Sequence, residues 1–475
     1  MLIKIIQHEW KQWLRDKRIV CLLGSMLLLG TVAIIIQVHS YKKLFIERTN
    51  AQQASRQAWL SQGEKHPHMA AHFGNYAYKQ PSILHCFDAG LTIYTGTSIY
   101  LEPHRQNDFL FSQIQEKDTG ARFGHFGPSM VCQLIIPLLI ILLTFNTVNG
   151  EKQRGTYLLL LGQGVTLKQI LFGKVSAVFL FFTMFLIAYI SAIVIIFSLV
   201  FKNAIELSIF PFFYLWLVYT GYYLLWSLLG VAVSASVKNI GSAISVLLLF
   251  WIVTYIIVPK TAANLAENIY PLTTNYAFKK QIINDIENGL DGHDPSSKRA
   301  QNIADSLLKI YNVGKVDKLP FNFEGYIMQQ GEEYSSKVYN HHLNSIFNTL
   351  KRQRNIQSWA SLLSPFIAVR HLSMAACNSS IETEIDFQQQ AENYRLQFVR
   401  KMNDDMKNNS AYGDWDNYKI KNEVYNEVKD FVPITESFIW RIKFVAKENL
   451  FLLAWLLFLI TYLLLISKKE ISSKF

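Results

Sequence analysis

Six apolar stretches, 19–37, 129–148, 175–200, 211–234, 240–258 and 448–467, punctuate an otherwise polar chain of 475 residues. Each is close to or above the roughly 20 residues a helix needs to cross about 30 Å of hydrocarbon. The pattern predicts an all-α membrane protein with six transmembrane helices. The fourth is the weakest, because Pro211 and several tyrosines interrupt it. Two polar intervals, 38–128 and 259–447, are long enough to build water-soluble structure. In the first, a polar helical run from His39 to about Ala71 gives way to a part rich in tyrosine, glycine and proline that ends at Pro128. The second reads as mainly helical, with apolar residues at helical spacing in 299–312 and 335–363 and a further helix over 384–408. Turn signals fall at Asp291-Gly292 to Pro295, at Pro320, at Ser364-Pro365 and in the loop 409–418.

The composition, 51% hydrophobic and 17% charged, fits spans combined with large aqueous segments. A net charge of +11 raises the question of nucleic acid, and the location of the charges answers it. Lys4, Lys11, Arg15, Lys17 and Arg18, the loop 149–174, Lys238, and Lys468, Lys469 and Lys474 of the tail 468–475 all flank span ends on one side. Positive charge there marks the cytoplasmic face, so both termini are expected inside and 38–128 and 259–447 outside. No nucleic-acid partner is expected; the bilayer is. Segment 1–18 precedes an apolar core too long for a cleaved signal peptide. It reads as an interfacial helix with an apolar face of Leu2, Ile5, Ile6, Trp10, Trp13 and Leu14, or more plainly as a basic stub that sets orientation.

Energy sources within the chain are hard to find. No GxxxxGK[ST] phosphate loop occurs, since Gly173-Lys174 and Gly314-Lys315 lack the upstream glycine. No ionisable residue lies well inside a span, where ion-coupled transporters keep such groups. GxSxG, HExxH and CxxC are also missing, so no catalytic residue is assigned. His66, His68 and His72, with His85 further on, invite a metal reading. Pro67 argues against one helix through these positions, and no carboxylate or cysteine stands at ligand spacing. They read as loop histidines, and no metal site is assigned. Cys86 and Cys377 lie in the two long segments and could form a disulfide; two buried thiols are the alternative. Gly221, Gly230 and Gly241 read as points of close helix packing.

The loop 149–174, NGEKQRGTYLLLLGQGVTLKQILFGK, is basic and amphipathic. With six spans and the N-terminal helix, it resembles the ABC-2 type permeases of ATP-binding cassette transporters. Glu151, Gly155, Thr156, Gly162, Gly173 and Lys174 match that family's pattern. The stretches 87–108, 122–130 and 362–395 are similar to a branch with two large extracytoplasmic insertions, whose permeases carry the domain of unknown function numbered 3526. One departure is the turn MAACNSS at Cys377, where that branch has a small residue followed by Gly-Thr-Asp.

The resemblance implies a permease that pairs with a second copy or a related permease and with cytoplasmic ATPases. ATP and Mg would be bound by those partners, and no cofactor by this chain. It also implies that 149–174 holds a coupling helix. Leu158, Leu159 and Leu160 would enter an ATPase groove, while Glu151, Lys152 and Arg154 set orientation at its rim. The N-terminal helix, with Glu9, Trp10 and Arg15, would lie against the same ATPase. The expected function is export from a bacterial inner membrane. Mechanotransmission to outer partners without transport is the alternative, and a membrane-anchored enzyme is a more remote third.

Overall fold

The computed structural model describes residues 1–80, 82–110, 126–201, 208–290, 292 and 294–472. The turn residue Asp291, part of the 122–130 stretch and the tail end with Lys474 lie outside the described residues. Among those described, six helices are long and apolar enough to cross a membrane: Lys17–Leu60, Pro128–Arg154, Leu167–Val200, Ile209–Ser236, Ile240–Ile269 and Ala446–Lys468. They match the six apolar stretches in order and place.

Helix α1 (Leu2–Arg15) stops at Asp16, whose backbone is extended. The Asp16 carboxylate accepts the Arg18 N–H at 2.9 Å, so one residue ends α1 and caps α2 (Lys17–Leu60). The 44 residues of α2 make a rod of about 66 Å at 1.5 Å per residue. That is about twice the hydrocarbon thickness. The first span therefore continues without a break into the polar segment 38–128, the first insertion; 259–447 is the second. There follow α3 (Pro67–His72), β1 (Asn75–Tyr78), α4 (Thr92–Thr95), β2 (Ser98–Leu101) and β3 (Phe109–Leu110). The strands form a small antiparallel sheet, with Asn75 opposite Leu101 and Ser98 opposite Leu110. This small sheet is a local exception in a chain that is otherwise helical, as expected.

The second span contains α5 (Ile136–Thr144), preceded by a π-helical stretch at Val131–Ile135. The connector forms α6 (Asn149–Arg154) and α7 (Thr156–Gly162). Spans three to five are α8 (Leu167–Phe201), α9 (Ile209–Ser236) and α10 (Ile240–Ile252), the last running on through a π-helical stretch into α11 (Val258–Ile269).

Helix α9, the weakest span by pattern, is the hub of the bundle, packed against α5, α8 and α10. Pro211 sits in its first turn, where a missing N–H costs little. Tyr219, Tyr222 and Tyr223 are fully buried rather than lipid-facing. Gly230 lies against α5, and a Cβ there would fall 1.9 Å from Thr144 Oγ1. Gly221 is roomier, its nearest neighbour being Leu456 at 3.7 Å. Gly230→Ala is therefore expected to destabilise the bundle by about 1–3 kcal/mol through overpacking. Gly221→Ala should change the thermal midpoint in detergent little; equal effects would contradict the packing. Gly241 serves no close approach: its N–H is capped by Asn239 Oδ1 at 3.0 Å.

The second insertion is built from α12 (Asn275–Asn288), α13 (Ser296–Tyr311), α14 (Phe323–Ala360), α15 (Pro365–Ala376), α16 (Ile381–Asn409), α17 (Asn422–Glu427) and α18 (Phe438–Lys443), before the last span α19 (Ala446–Ser472). Its breaks fall where Pro320 and Ser364-Pro365 place them. The insertions are not separate domains. Trp59 of α2, Ala77, Ile99 and Leu101 of the first share one apolar core with Phe387, Phe398 and Met402 of α16 and with Tyr425. Lys79 is buried against Glu384, an ion pair that staples one insertion to the other.

Candidate functional site

The connector between spans two and three is two short helices rather than one. Gly155 divides them in a left-handed conformation, φ 74°. Nothing lies within 4 Å of a Cβ at that position, so the glycine is required by backbone geometry and not by space. Ser234, near the end of α9, accepts the N–H groups of Val148 and Asn149 at 3.1 and 3.3 Å and anchors the start of α6. Thr156 Oγ1 donates to the Glu151 carbonyl at 3.3 Å across the break. A reciprocal pair, Gln169 N–H to Thr166 Oγ1 at 3.3 Å and Thr166 N–H to Gln169 Oε1 at 3.0 Å, opens α8. Gly173 and Lys174 thus lie inside α8, and the connector proper is 149–166.

Three of the singled-out residues converge inside the protein. Lys174 Nζ donates to Glu9 Oε1 at 2.6 Å and to Glu151 Oε1 at 2.8 Å, and all three side chains are buried. Glu9 belongs to α1, Glu151 to α6 and Lys174 to α8, so one ammonium holds three elements together. Gly173 permits the approach, since a Cβ there would lie 2.8 Å from Ile5 of α1. Trp10 Nε1 donates to the Ala177 carbonyl at 2.9 Å in the same seam. Glu151 is therefore not at a rim. Its carboxylate faces inward, and α1 packs along α8 through Ile5, Ile6, Trp10 and Trp13.

What the clamp leaves outside is narrow. Leu158 and Leu159 are 66% and 67% exposed, whereas Leu160 and Leu161 pack partly against the core. Arg154 and Gly162 are exposed beside them, and Arg15 is exposed on α1. Tyr157 is buried under Lys152, whose Nζ sits 5.2 Å from the ring centroid and donates to the Ala235 carbonyl at 3.2 Å. Two leucines with flanking cations thus stand on a braced helix, a shape suited to filling an apolar groove.

At the opposite end of the bundle, polar groups run from the spans into both insertions. Gln133 Nε2 donates to Tyr219 Oη at 2.7 Å, Tyr219 Oη to Ser373 Oγ at 3.0 Å, and Ser373 Oγ to Asp88 Oδ2 at 2.5 Å. Burial pushes the Asp88 carboxyl above its ordinary range, against the pull of that hydroxyl. A cavity of about 180 Å³, lined by Asp88, Gln133, Tyr255 and Arg370 among others, lies beside this chain of bonds. Cys86 and Cys377 are both buried near this seam, and both are free thiols among the described residues. Burial pushes both thiols up, which makes them inert. After Cys377, Asn378 takes the left-handed conformation, φ 58°. Gly would adopt it at least cost, and Asn is the usual substitute. Ser379 Oγ then donates to the Asp88 carbonyl at 3.0 Å, so a hydroxyl is kept there too.

Residues 278–433 match the family model described as Domain of unknown function (DUF3526). The match begins in α12 and ends after α17, so it covers most of the second insertion and none of the six spans. No curated protein matches the chain. Within the DUF3526 region, Glu332 of α14 and Arg395 of α16 are both almost wholly buried and paired at 3.0 Å. That pair reaches beyond the region to His104 of the first insertion, whose Nδ1 lies 2.5 Å from Glu332 Oε1.

His104 in turn corrects the reading of the neighbouring histidines. Pro67 occupies the first turn of α3, where proline is favoured, instead of breaking it. His68 and His72 therefore share one helical face, Nε2 to Nε2 at 3.0 Å, and His104 joins them from the turn after β2. Burial, then the neighbouring imidazoles, pushes His68 down to about 4, so its ring is neutral at pH 7. His104 is 32 residues beyond His72, and the antiparallel β1–β2 hairpin brings them together.

Proposed function

We propose that this chain is the membrane subunit of an ATP-binding cassette transporter of the ABC-2 type, working as an exporter in a bacterial inner membrane. The observation that carries the reading is the exposed Leu158–Leu159 pair on a connector braced by the buried Glu9–Lys174–Glu151 cluster. A cytoplasmic ATPase, holding ATP and Mg, docks on those leucines, and a second permease copy or a relative completes the complex. Burying two leucine side chains stabilises such a contact by about 3–6 kcal/mol. With 1.4 kcal/mol per tenfold, Leu158→Glu with Leu159→Glu is expected to weaken ATPase association at least 100-fold. The measurement is co-purification and stimulated ATP hydrolysis with the ATPase captured by a photo-crosslinker at Leu158. Undiminished association of a normally folded double variant would end the docking claim.

A second reading, transmission of ATP-driven motion to the insertions without passage of substrate, is supported by the same structure. The cavity at the seam, at about 180 Å³, is below the roughly 300 Å³ at which small-molecule pockets begin. The relay from Gln133 through Tyr219 and Ser373 to Asp88 gives the spans a mechanical hold on the insertions. Tyr219→Phe, which cuts that relay, is the variant that tells the readings apart. Under mechanotransmission it uncouples hydrolysis from movement of the insertions; under export through the spans it leaves the coupling intact.

A further inference from the structure

We propose that His68, His72 and His104 form a binding site for a divalent first-row transition metal, with zinc the natural occupant. One nitrogen from each ring lies within 4.8 Å of the others. A tetrahedral ion with nitrogen at 2.0–2.1 Å sets its ligands about 3.4 Å apart. His68 and His72, at 3.0 Å, are close to that separation, and a small movement of their side chains on α3 toward the anchored His104 ring closes the rest. Spacing of i and i+4 on one helix is the arrangement by which two histidines share a metal in helical zinc motifs.

The supporting shell is what separates this group from three incidental histidines. A ligating histidine characteristically gives its other ring N–H to a carboxylate, which fixes the tautomer and aims the free nitrogen. His104 has that partner: its Nδ1 lies 2.5 Å from Glu332 Oε1, leaving Nε2 for the metal. Its backbone N–H donates to the same oxygen at 2.7 Å, so ring and backbone are held as a unit. Glu332 is locked by Arg395 at 3.0 Å and is 1% exposed. His104 also holds a left-handed backbone, φ 71°, a cost this anchoring offsets. Opposite the cluster, Trp415 packs edge-on to His68 and stacks on His66. His72 and His104 are exposed, which gives an ion access and leaves a fourth position for water. Such N₃ plus water coordination suits Zn²⁺, with Co²⁺ and Ni²⁺ as substitutes. The ligands come from α3 and the hairpin of the first insertion and the orienting carboxylate from the second, so metal binding would lock the two insertions together. This site does not depend on the transporter reading.

The test uses the full chain, without a polyhistidine tag, in detergent. Zn²⁺ titration against a chromophoric chelator is expected to show one tight site per chain, and Co²⁺ to give the visible absorption of a tetrahedral nitrogen-ligated ion. His68→Gln with His104→Asn should weaken binding at least 100-fold; asparagine tolerates the left-handed backbone, so folding is retained. His72→Gln provides a second ligand deletion on an exposed residue. Glu332→Gln should cost about 10–100-fold while keeping the Co²⁺ spectrum, as expected of an orienting group. His341→Ala with His342→Ala, which removes another histidine pair, should bind as wild type. Zn²⁺ should raise the melting temperature of the wild type and not of the double ligand variant. Absence of saturable binding, or binding unchanged in the ligand variants, would overturn the proposal.

Discussion

Replacing Lys174 with methionine will cost the folded chain about 3–5 kcal/mol, the usual penalty for breaking a buried ion pair from one side. The ammonium is shared between Glu9 and Glu151 at 2.6 and 2.8 Å, and all three side chains are at most 10% exposed. Without it, two carboxylates face each other in a closed seam, and Glu151 Oε2 already lacks a partner. The loss should be recovered in part by Glu9→Gln with Glu151→Gln in the same chain, because removing the whole set of charges is far cheaper than orphaning two. A thermal denaturation series in detergent reads this directly. If Lys174→Met is within about 1 kcal/mol of wild type, the cluster does not clamp α1, α6 and α8 together. The functional readout follows from geometry: α1, α6 and α8 are joined at this seam, so under the proposed function loosening it should also reduce stimulation of the ATPase while Leu158 and Leu159 remain intact.

That cluster shows how the sequence is legible in parts. Glu9, Glu151 and Lys174 can each be singled out from the chain, but 165 residues separate the two that lie closest, and nothing in one-dimensional spacing pairs them. A surface role for Glu151 is natural for a carboxylate in a basic loop; burial with a shared lysine is what packing adds. The spans are legible because lipid imposes a long apolar run whatever the tertiary contacts. The fourth is expected as a span but has the weakest pattern, for a physical reason. Its tyrosines lower the apparent hydropathy, yet Tyr219 and Tyr222 turn inward and satisfy their hydroxyls on Gln133 and Ser373. In the insertions, Tyr76 and Tyr78 alternate with small neighbours along β1, a strand signal too short to stand alone. The histidine group fails for the opposite reason: Pro67 starts a helix where the sequence suggested it would end one.

Acid should weaken the junction between the insertions through His85. Its Nδ1 accepts the Ser82 N–H at 3.1 Å, and its Nε2–H donates to Thr92 Oγ1 at 3.1 Å. Thr92 Oγ1 itself donates to Glu384 Oε1 at 2.8 Å and accepts from Lys79 Nζ at 3.0 Å, so every site on that hydroxyl is used. Burial, with the Lys79 charge beside it, pushes His85 down to about 3 from an ordinary 6.5. The folded chain thus keeps this ring neutral where the unfolded chain takes a proton. Its contribution is intact above pH 6.5 and is lost as the pH falls toward 3, by about 1.4 kcal/mol per pH unit. His85→Gln offers one acceptor and one donor to the same partners without titrating. Denaturation of both proteins at pH 7, 6, 5 and 4 should therefore give stability curves that converge as the solution is acidified, the wild type losing about 1.4 kcal/mol more per unit below pH 6. Parallel curves would mean that His85 takes up a proton equally in both states, and that the Lys79–Thr92–Glu384 staple is open to water.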